Sequence, residues 1–248
     1  MKPYIGVTGF SSVEEIEEVS KSLKSFPGYY MFGFTCSNKR MLDPKSSGKT
    51  SPSIDELKEL VDAVPADQLP MIHYFTPKME NVGEDLEELF YYCNFDNPDR
   101  VGVQFNAYWP PLQQLNLFRI SHPKSPITLQ LPKKSLDYSD EAIVSRLKTY
   151  EGVVDYALID PSGEGVDFDV SRATALMVKI QEETNIVPGV AGGFSAENVA
   201  ERCVEISEEI KEEIELNFCI DAQGNLRSRG DLDTVKAKAY IEAASDHA

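Results

Sequence analysis

Short apolar runs that do not alternate with polar positions recur along the chain. Each is followed by a segment whose apolar residues fall three or four apart. The first run, residues 2–8, leads into Val13, Ile16, Val19 and Leu23, with Ser12 and Glu15 spaced as a capping box. Pro27-Gly28 ends that helix, and a second run covers 29–35. A polar loop, 37–51, separates it from a helix carrying Ile54, Leu57, Leu60, Val61 and Val64, read with Ser51 at its cap and Pro52 at its first position. Runs at 71–76, 100–106 and 126–131 follow. Their helical partners are marked by Leu86, Leu89, Phe90 and Cys93, then Leu112, Leu115 and Phe118, then Ile143, Val144 and Leu147. A sixth run, 155–160, ends on Asp160, and Ala173, Leu176, Met177 and Ile180 come after its loop. The seventh, 186–190, ends in Ala191-Gly192-Gly193 and opens onto an acidic helix at 197–215 with Val199, Cys203, Ile206 and Ile210 inward. The eighth, 217–221, precedes a closing helix at 231–244.

Strands that are apolar at consecutive positions are buried on both faces, as in parallel sheets covered by helices. Such strand–helix units, roughly 25 to 35 residues each with no Pro/Ser/Gly linker between them, predict a single (β/α)8 barrel over residues 1–248. A doubly wound open sheet is the second choice. Gly6-Val7-Thr8-Gly9 does not supply the Gly-rich fingerprint that such a fold carries after its first strand.

Composition narrows the function. The net charge of −17, from 41 acids against 24 bases, argues against nucleic acid or an anionic membrane as partner. It leaves room for a small phosphorylated substrate, which needs only a local positive field. No apolar run approaches the roughly 20 residues of a membrane span, and the first residues lack the series of a signal peptide, so a cytoplasmic protein is expected. Cys36, Cys93, Cys203 and Cys219 form no CxxC pair, and Cys93 and Cys203 fall on apolar helix faces, where a reduced, buried thiol belongs. The histidines are far apart, so no metal site and no cofactor is expected.

In barrels of this kind ligands bind at the carboxyl ends of the strands, which makes the residues there the candidates. Asp160, beside Leu158 and Ile159, reads as a partly desolvated general acid, or as a loop cap bonding the amides of Ser162 and Gly163. Gly192, Gly193 and Gly224 offer bare backbone N–H groups suited to a phosphate, or simply permit tight turns. Arg40, with Lys39 and Lys45 nearby, is a clamp for a carboxylate or phosphate, or part of a solvated basic loop. Asn106 and Gln104 are candidates for substrate contact, or Gln104 and Gln130 satisfy one another or backbone groups inside the barrel. His73 lies within its strand and reads as a core histidine or a catalytic one. Cys36 and Glu164 are candidate substrate contacts and proton acceptors. The segment Tyr108-Trp109-Pro110-Pro111 reads as an aromatic loop that stacks on a ring or meets a second subunit.

These signposts, taken in order, resemble phosphoribosylanthranilate isomerase over nearly the whole chain. Thr8-Gly9-Phe10-Ser11 stands where that family has Cys-Gly-Ile/Leu-Thr, and Ser37-Asn38-Lys39-Arg40 resembles its Ser-Pro-Arg with one residue added. Val103-Gln104-Phe105-Asn106 resembles Val-Gln-Leu-His. Asp160 followed by Gly163-Glu164-Gly165 and Phe168-Asp169 resembles Asp, Gly-Thr-Gly and Phe-Asp. Ala191-Gly192-Gly193 with Glu197-Asn198-Val199 resembles Ala-Gly-Gly and Glu-Asn-Val, and Gly224 with Gly230 and Asp233 resembles the segment after its eighth strand.

The resemblance implies an Amadori rearrangement of an aminoaldose phosphate to an aminoketose phosphate, without metal or organic cofactor, as in tryptophan biosynthesis. It assigns the acid to Asp160, an arginine to Arg40, the phosphate to Gly192, Gly193 and Gly224, and the base position to Thr8. A hydroxyl is a far weaker base than a thiolate at neutral pH. Ala222-Gln223 also replaces a Ser-Ser pair, and Val166 replaces a lysine. Two functions therefore stand side by side. One is a phosphosugar isomerase with a different base; the other is a phosphate-ligand-binding barrel that has lost the chemistry. A lyase of the Schiff-base type ranks below both, since no lysine lies inside a predicted strand. The chain is expected to turn over phosphoribosylanthranilate slowly, and to act as a monomer or homodimer.

Overall fold

The computed structural model describes residues 1–39, 43, 51–106, 109–161, 169–210 and 215–247. Its strands are β1 (Tyr4–Thr8), β2 (Tyr29–Ser37), β3 (Leu69–Phe75), β4 (Gly102–Phe105), β5 (Ile127–Pro132), β6 (Tyr156–Asp160), β7 (Val187–Ala191) and β8 (Cys219–Ala222). All pair in parallel in chain order, and β8 returns to β1 to close the barrel. Helices α1 (Val13–Ser20), α2 (Ile54–Ala63), α3 (Val82–Cys93), α4 (Leu112–Ser121), α5 (Asp140–Lys148), α6 (Val170–Glu183), α7 (Val199–Glu209) and α8 (Thr234–Ser245) alternate with them. The fold is a (β/α)8 barrel.

The helices begin where local chemistry directs. Ser12 and Glu15 form the capping box at α1. At α2 the cap is Ser53 rather than Ser51. The Ser53 hydroxyl accepts from the Glu56 amide at 3.2 Å while the Glu56 carboxylate accepts from the Ser53 amide at 2.7 Å, so two orphan donors are satisfied together. The expected strand at 100–106 shortens because Pro98–Arg100 forms a 3-10 turn. The Arg100 guanidinium holds that turn by donating to the carbonyls of Val61, Val64 and Pro65 at 3.1, 2.7 and 3.1 Å.

Strand alternation divides the core. Outward residues such as Ile5, Val7, Phe32, Phe34, Val103 and Phe105 pack under the helices and are almost wholly buried. Each such side chain contributes on the order of 1.5–3 kcal/mol. Inward residues fill the barrel. At its amino end Tyr4, Met31, Leu69, Met71, Tyr156 and Cys219 form an apolar plug. The rings of Tyr4 and Tyr156 meet edge-on at 5.1 Å, and the Tyr156 hydroxyl donates to the Lys2 carbonyl at 2.8 Å. That end is sealed. Toward the carboxyl end the inward positions include the polar residues Thr8, His73, Gln104 and Asp221.

Candidate active site

A chain of side-chain hydrogen bonds crosses the barrel above the plug. It links Gln104 on β4, His73 on β3, Thr8 on β1 and Asp221 on β8, residues that are 2%, 3%, 0% and 6% exposed. Thr8 Oγ1 donates to Asp221 at 3.1 Å to Oδ1 and 3.3 Å to Oδ2. Having spent its one proton there, Thr8 must accept from His73 Nε2, 3.2 Å away. Gln104 Nε2 can only donate, so His73 Nδ1, at 3.2 Å, is the acceptor. The imidazole is therefore neutral with its proton on Nε2. Burial alone pushes His73 down to about 3, which agrees with that state. The Gln104 amide also donates to Asn106 Oδ1 at 3.1 Å.

Burial pushes the Asp221 carboxyl up to about 7, the Thr8 hydrogen bond opposes the rise, and the charge of Asp160 adds to it. Asp160 itself ends β6, half-buried, and accepts from the Gln130 side chain on β5.

Glycines make room for this arrangement. A Cβ at Gly33 would lie 2.3 Å from Thr8 Oγ1 and 2.9 Å from His73 Nε2, and one at Gly6 would lie 2.8 Å from Asp221 Oδ1. The close approach of Thr8 and His73 across β2 is possible only over a residue without a side chain.

The loops after β7 and β8 meet on the same end of the barrel. Gly192 and Gly193 have φ of 103° and 75°, values that favour glycine. The Gly193 carbonyl accepts from Asn198 Nδ2 at 2.9 Å and Asn225 Nδ2 at 2.7 Å, which ties the two loops together. Asn198 Oδ1 accepts from the Ser195 amide at 2.8 Å and makes no cap bond to α7. An added Cβ at Gly193 or Gly224 would meet nothing within 4 Å, so both glycines border open space. Backbone N–H groups beside a helix N-terminus and open space are what an oxyanion needs.

The structure thus brings Thr8, Gln104, Asn106 and Asp160, together with Gly192, Gly193 and Gly224, to one end of the barrel. Arg40, Lys45, Tyr108, Ser162, Gly163 and Glu164 lie outside the described residues. Cys36 is a correction: it alternates with Thr35 and faces the helices, 4% exposed in the cluster that includes Cys93 and Tyr74. An odd step along a strand turns a side chain to the other face. Of the two readings of His73 the core histidine fits: the ring is buried, both nitrogens are hydrogen-bonded, and burial pushes it down to about 3. Gln104 and Gln130 do not satisfy one another; the first serves His73 and Asn106, the second Asp160. Trp109 donates to the Gln130 carbonyl at 2.7 Å, and the Arg146 guanidinium lies 4.4 Å over its ring, so that side chain is packed into the wall. Asp221 was not singled out by sequence reasoning. The signal was present: the eighth apolar run closes on a carboxylate, as the sixth does. Among the described residues no group of three or more His, Cys, Asp or Glu could hold a metal ion, and no helix is long and apolar enough to cross a membrane.

No protein-family model matches the chain, and neither does the sequence of any curated protein. Solved structures do match. Phosphoribosylanthranilate isomerase from Thermotoga maritima is 15% identical with a TM-score of 0.66, over 99% of this chain and 100% of that one. A phosphoribosylanthranilate isomerase solved in complex with reduced 1-(o-carboxyphenylamino)-1-deoxyribulose 5-phosphate is 16% identical with a TM-score of 0.64, over 99% and 100%. The 3-hexulose-6-phosphate synthase of Salmonella typhimurium is 10% identical with a TM-score of 0.61, over the full length of both. The likeness extends over the whole barrel and establishes its architecture.

Proposed function

We propose that this barrel is an isomerase of the phosphoribosylanthranilate isomerase type, acting on a small phosphorylated, sugar-derived substrate. Its reaction is the acid/base conversion of an aminoaldose to an aminoketose, without metal or organic cofactor, in the cytoplasm. Asp160 is the general acid. The amides around Gly192, Gly193 and Gly224 hold the phosphate, Asn106 and Gln104 border the substrate, and Arg40 clamps its second anionic group. The observation that carries this reading is a carboxylate at the end of β6 on the same barrel end as two tied glycine loops that border open space. Neighbours of matching architecture include enzymes of phosphorylated sugars by name.

The phosphate supplies binding energy remote from the reacting carbon, which can be used to orient the sugar against Asp160. Calorimetric titration with reduced 1-(o-carboxyphenylamino)-1-deoxyribulose 5-phosphate tests the reading. Binding to the wild type and its loss in Gly193→Val support it; no binding, or equal binding to both, defeats it.

A second reading, a phosphate-ligand-binding barrel without catalysis, rests on one observation. The Thr8 hydroxyl is committed as a donor to Asp221, so nothing on β1 takes a proton. Binding of the same compound without turnover of phosphoribosylanthranilate would favour it.

A further inference from the structure

We infer that Asp221, oriented by Thr8, takes the carbon-bound proton of the substrate in this barrel, the task that in the resembled family belongs to a residue of the first strand. This rests on the isomerase reading above and assigns the group that reading leaves open.

The placement comes first. Asp221 sits inward on β8, opposite Gly6 of β1 and Ala191 of β7 in the strand register. Both neighbours are small, and a Cβ on Gly6 would press on the carboxylate at 2.8 Å. The barrel thus keeps a slot for this side chain directly beside the β1 terminus.

Charge comes next. The Thr8 hydroxyl and the Ala222 amide hydrogen-bond Asp221, and the titratable groups that interact with it electrostatically are Asp160, Tyr4, Cys219 and Tyr240. His73, one hydrogen bond further on, is neutral. No described cation pairs with Asp221. A buried carboxylate held in the native state without a positive partner is costly, and a fold that only needed to be stable would do better with an amide or an apolar residue. Such sites concentrate where chemistry is done.

The third observation is the direction of the hydrogen bonds. Gln104 fixes the tautomer of His73, His73 donates to Thr8, and Thr8 donates to both oxygens of Asp221. Every donor in the series points toward the carboxylate. Gln104, His73 and Thr8 are positioning residues: they orient the Asp221 carboxyl, and the Thr8 bond favours its ionised form against burial. The two carboxyls sit in different surroundings, Asp160 half-buried at the end of β6 beside Gln130 and Asp221 enclosed beside Thr8.

The steps balance. In the form that reacts, the single proton shared between the two carboxyls is on Asp160, which gives it to the departing ring oxygen of the aminoaldose as C1 and nitrogen form an iminium. Asp221 takes the proton from C2; the C–H electrons become the C1–C2 double bond and the nitrogen recovers its pair. The resulting enaminol returns to a ketone when Asp221 delivers that proton to C1 and Asp160 takes the proton of the C2 hydroxyl. Both carboxyls end as they began.

The test uses the full chain with phosphoribosylanthranilate as substrate and reduced 1-(o-carboxyphenylamino)-1-deoxyribulose 5-phosphate as binding probe. Asp221→Asn is expected to bind the probe within a few-fold of wild type and to lower kcat on the order of 10²–10⁴-fold. Thr8→Val is expected to keep probe binding and lower kcat less. Because the lost hydrogen bond had favoured ionisation, it also moves the acid limb of the kcat profile to higher pH, and Thr8→Ser restores the limb. Thr8→Cys yields no gain. Full turnover by Asp221→Asn, an unmoved acid limb in Thr8→Val, or a wild type that binds the probe yet does not turn over would overturn the assignment. A wild type that fails to bind the probe defeats the isomerase reading itself, a result distinct from these.

Discussion

Replacing Asp221 with asparagine should change how stability depends on pH, whatever the substrate. The carboxyl is raised from its ordinary 3.8 to about 7 by burial. Between those values the folded chain keeps a proton that the unfolded chain has released. Native protein then binds more protons than unfolded protein, so stability falls as pH rises through the window and levels off above about 7. Each pH unit inside the window corresponds to about 1.4 kcal/mol, so between pH 5 and pH 8 the wild type loses about 3 kcal/mol through this one group. Asparagine keeps the shape, still accepts from Thr8, and does not titrate. All other ionisable groups are shared and cancel in the comparison. Urea unfolding of both proteins at pH 5, 6, 7 and 8 supplies the measurement. The stability of Asp221→Asn relative to wild type should rise by about 3 kcal/mol from pH 5 to pH 8. For a chain of this length that is several degrees in Tm. Parallel curves, with the difference constant within about 0.5 kcal/mol, would show that the carboxyl titrates at its ordinary pH in the fold and would refute the burial argument.

Other consequences can be checked on the same material. Gly193→Val places a β-branched side chain at φ of 75° on the edge of the loop pair, and probe binding should fall below detection while circular dichroism keeps the barrel signal. Gly33→Ala drives a methyl group to 2.3 Å from Thr8 Oγ1, so the unfolding free energy from urea titration should drop by about 1–3 kcal/mol and the difference between pH 5 and pH 8 should change with it; an unaltered protein would contradict the packing. Exhaustive chelation should leave Tm unchanged, and a loss reversed by a divalent ion would contradict the reading of the described side chains.

The alternation of buried runs with helical spacing was enough to give the barrel, because each unit is local: a strand buried on both faces and a helix with one apolar stripe. Boundaries shifted where a tertiary partner decided. Arg100 leaves its strand because its guanidinium is drawn to carbonyls of the α2 end, and Ser53 displaces Ser51 because Glu56 completes the box from within the helix. The turn at Gly192-Gly193 is local in the same sense, but its tie to the loop of Gly224 runs through Asn225, 32 positions on.

The polar chain was not legible in the sequence. Thr8 and Asp221 are 213 positions apart, and they meet only because β8 returns to β1. Gln104 found His73 rather than Gln130 because the register pairs those two positions on β3 and β4. Cys36 failed as a candidate through strand parity, which puts it one residue off the inward face. A terminal carboxylate on β8 carried the same signature as Asp160, but without the closed barrel nothing connected it to the position of Thr8.

In the proposed reaction one end of the barrel binds a phosphorylated ligand with its reacting carbons between Asp160 and Asp221. A crystal structure with reduced 1-(o-carboxyphenylamino)-1-deoxyribulose 5-phosphate tests it most directly. The phosphate is expected against the amides of Gly193 and Gly224, with C1 and C2 of the sugar chain within reach of Asp221 and the far oxygen near Asp160. A phosphate seated elsewhere, or a sugar chain whose C1 and C2 are more than about 4 Å from the Asp221 carboxylate, would contradict it.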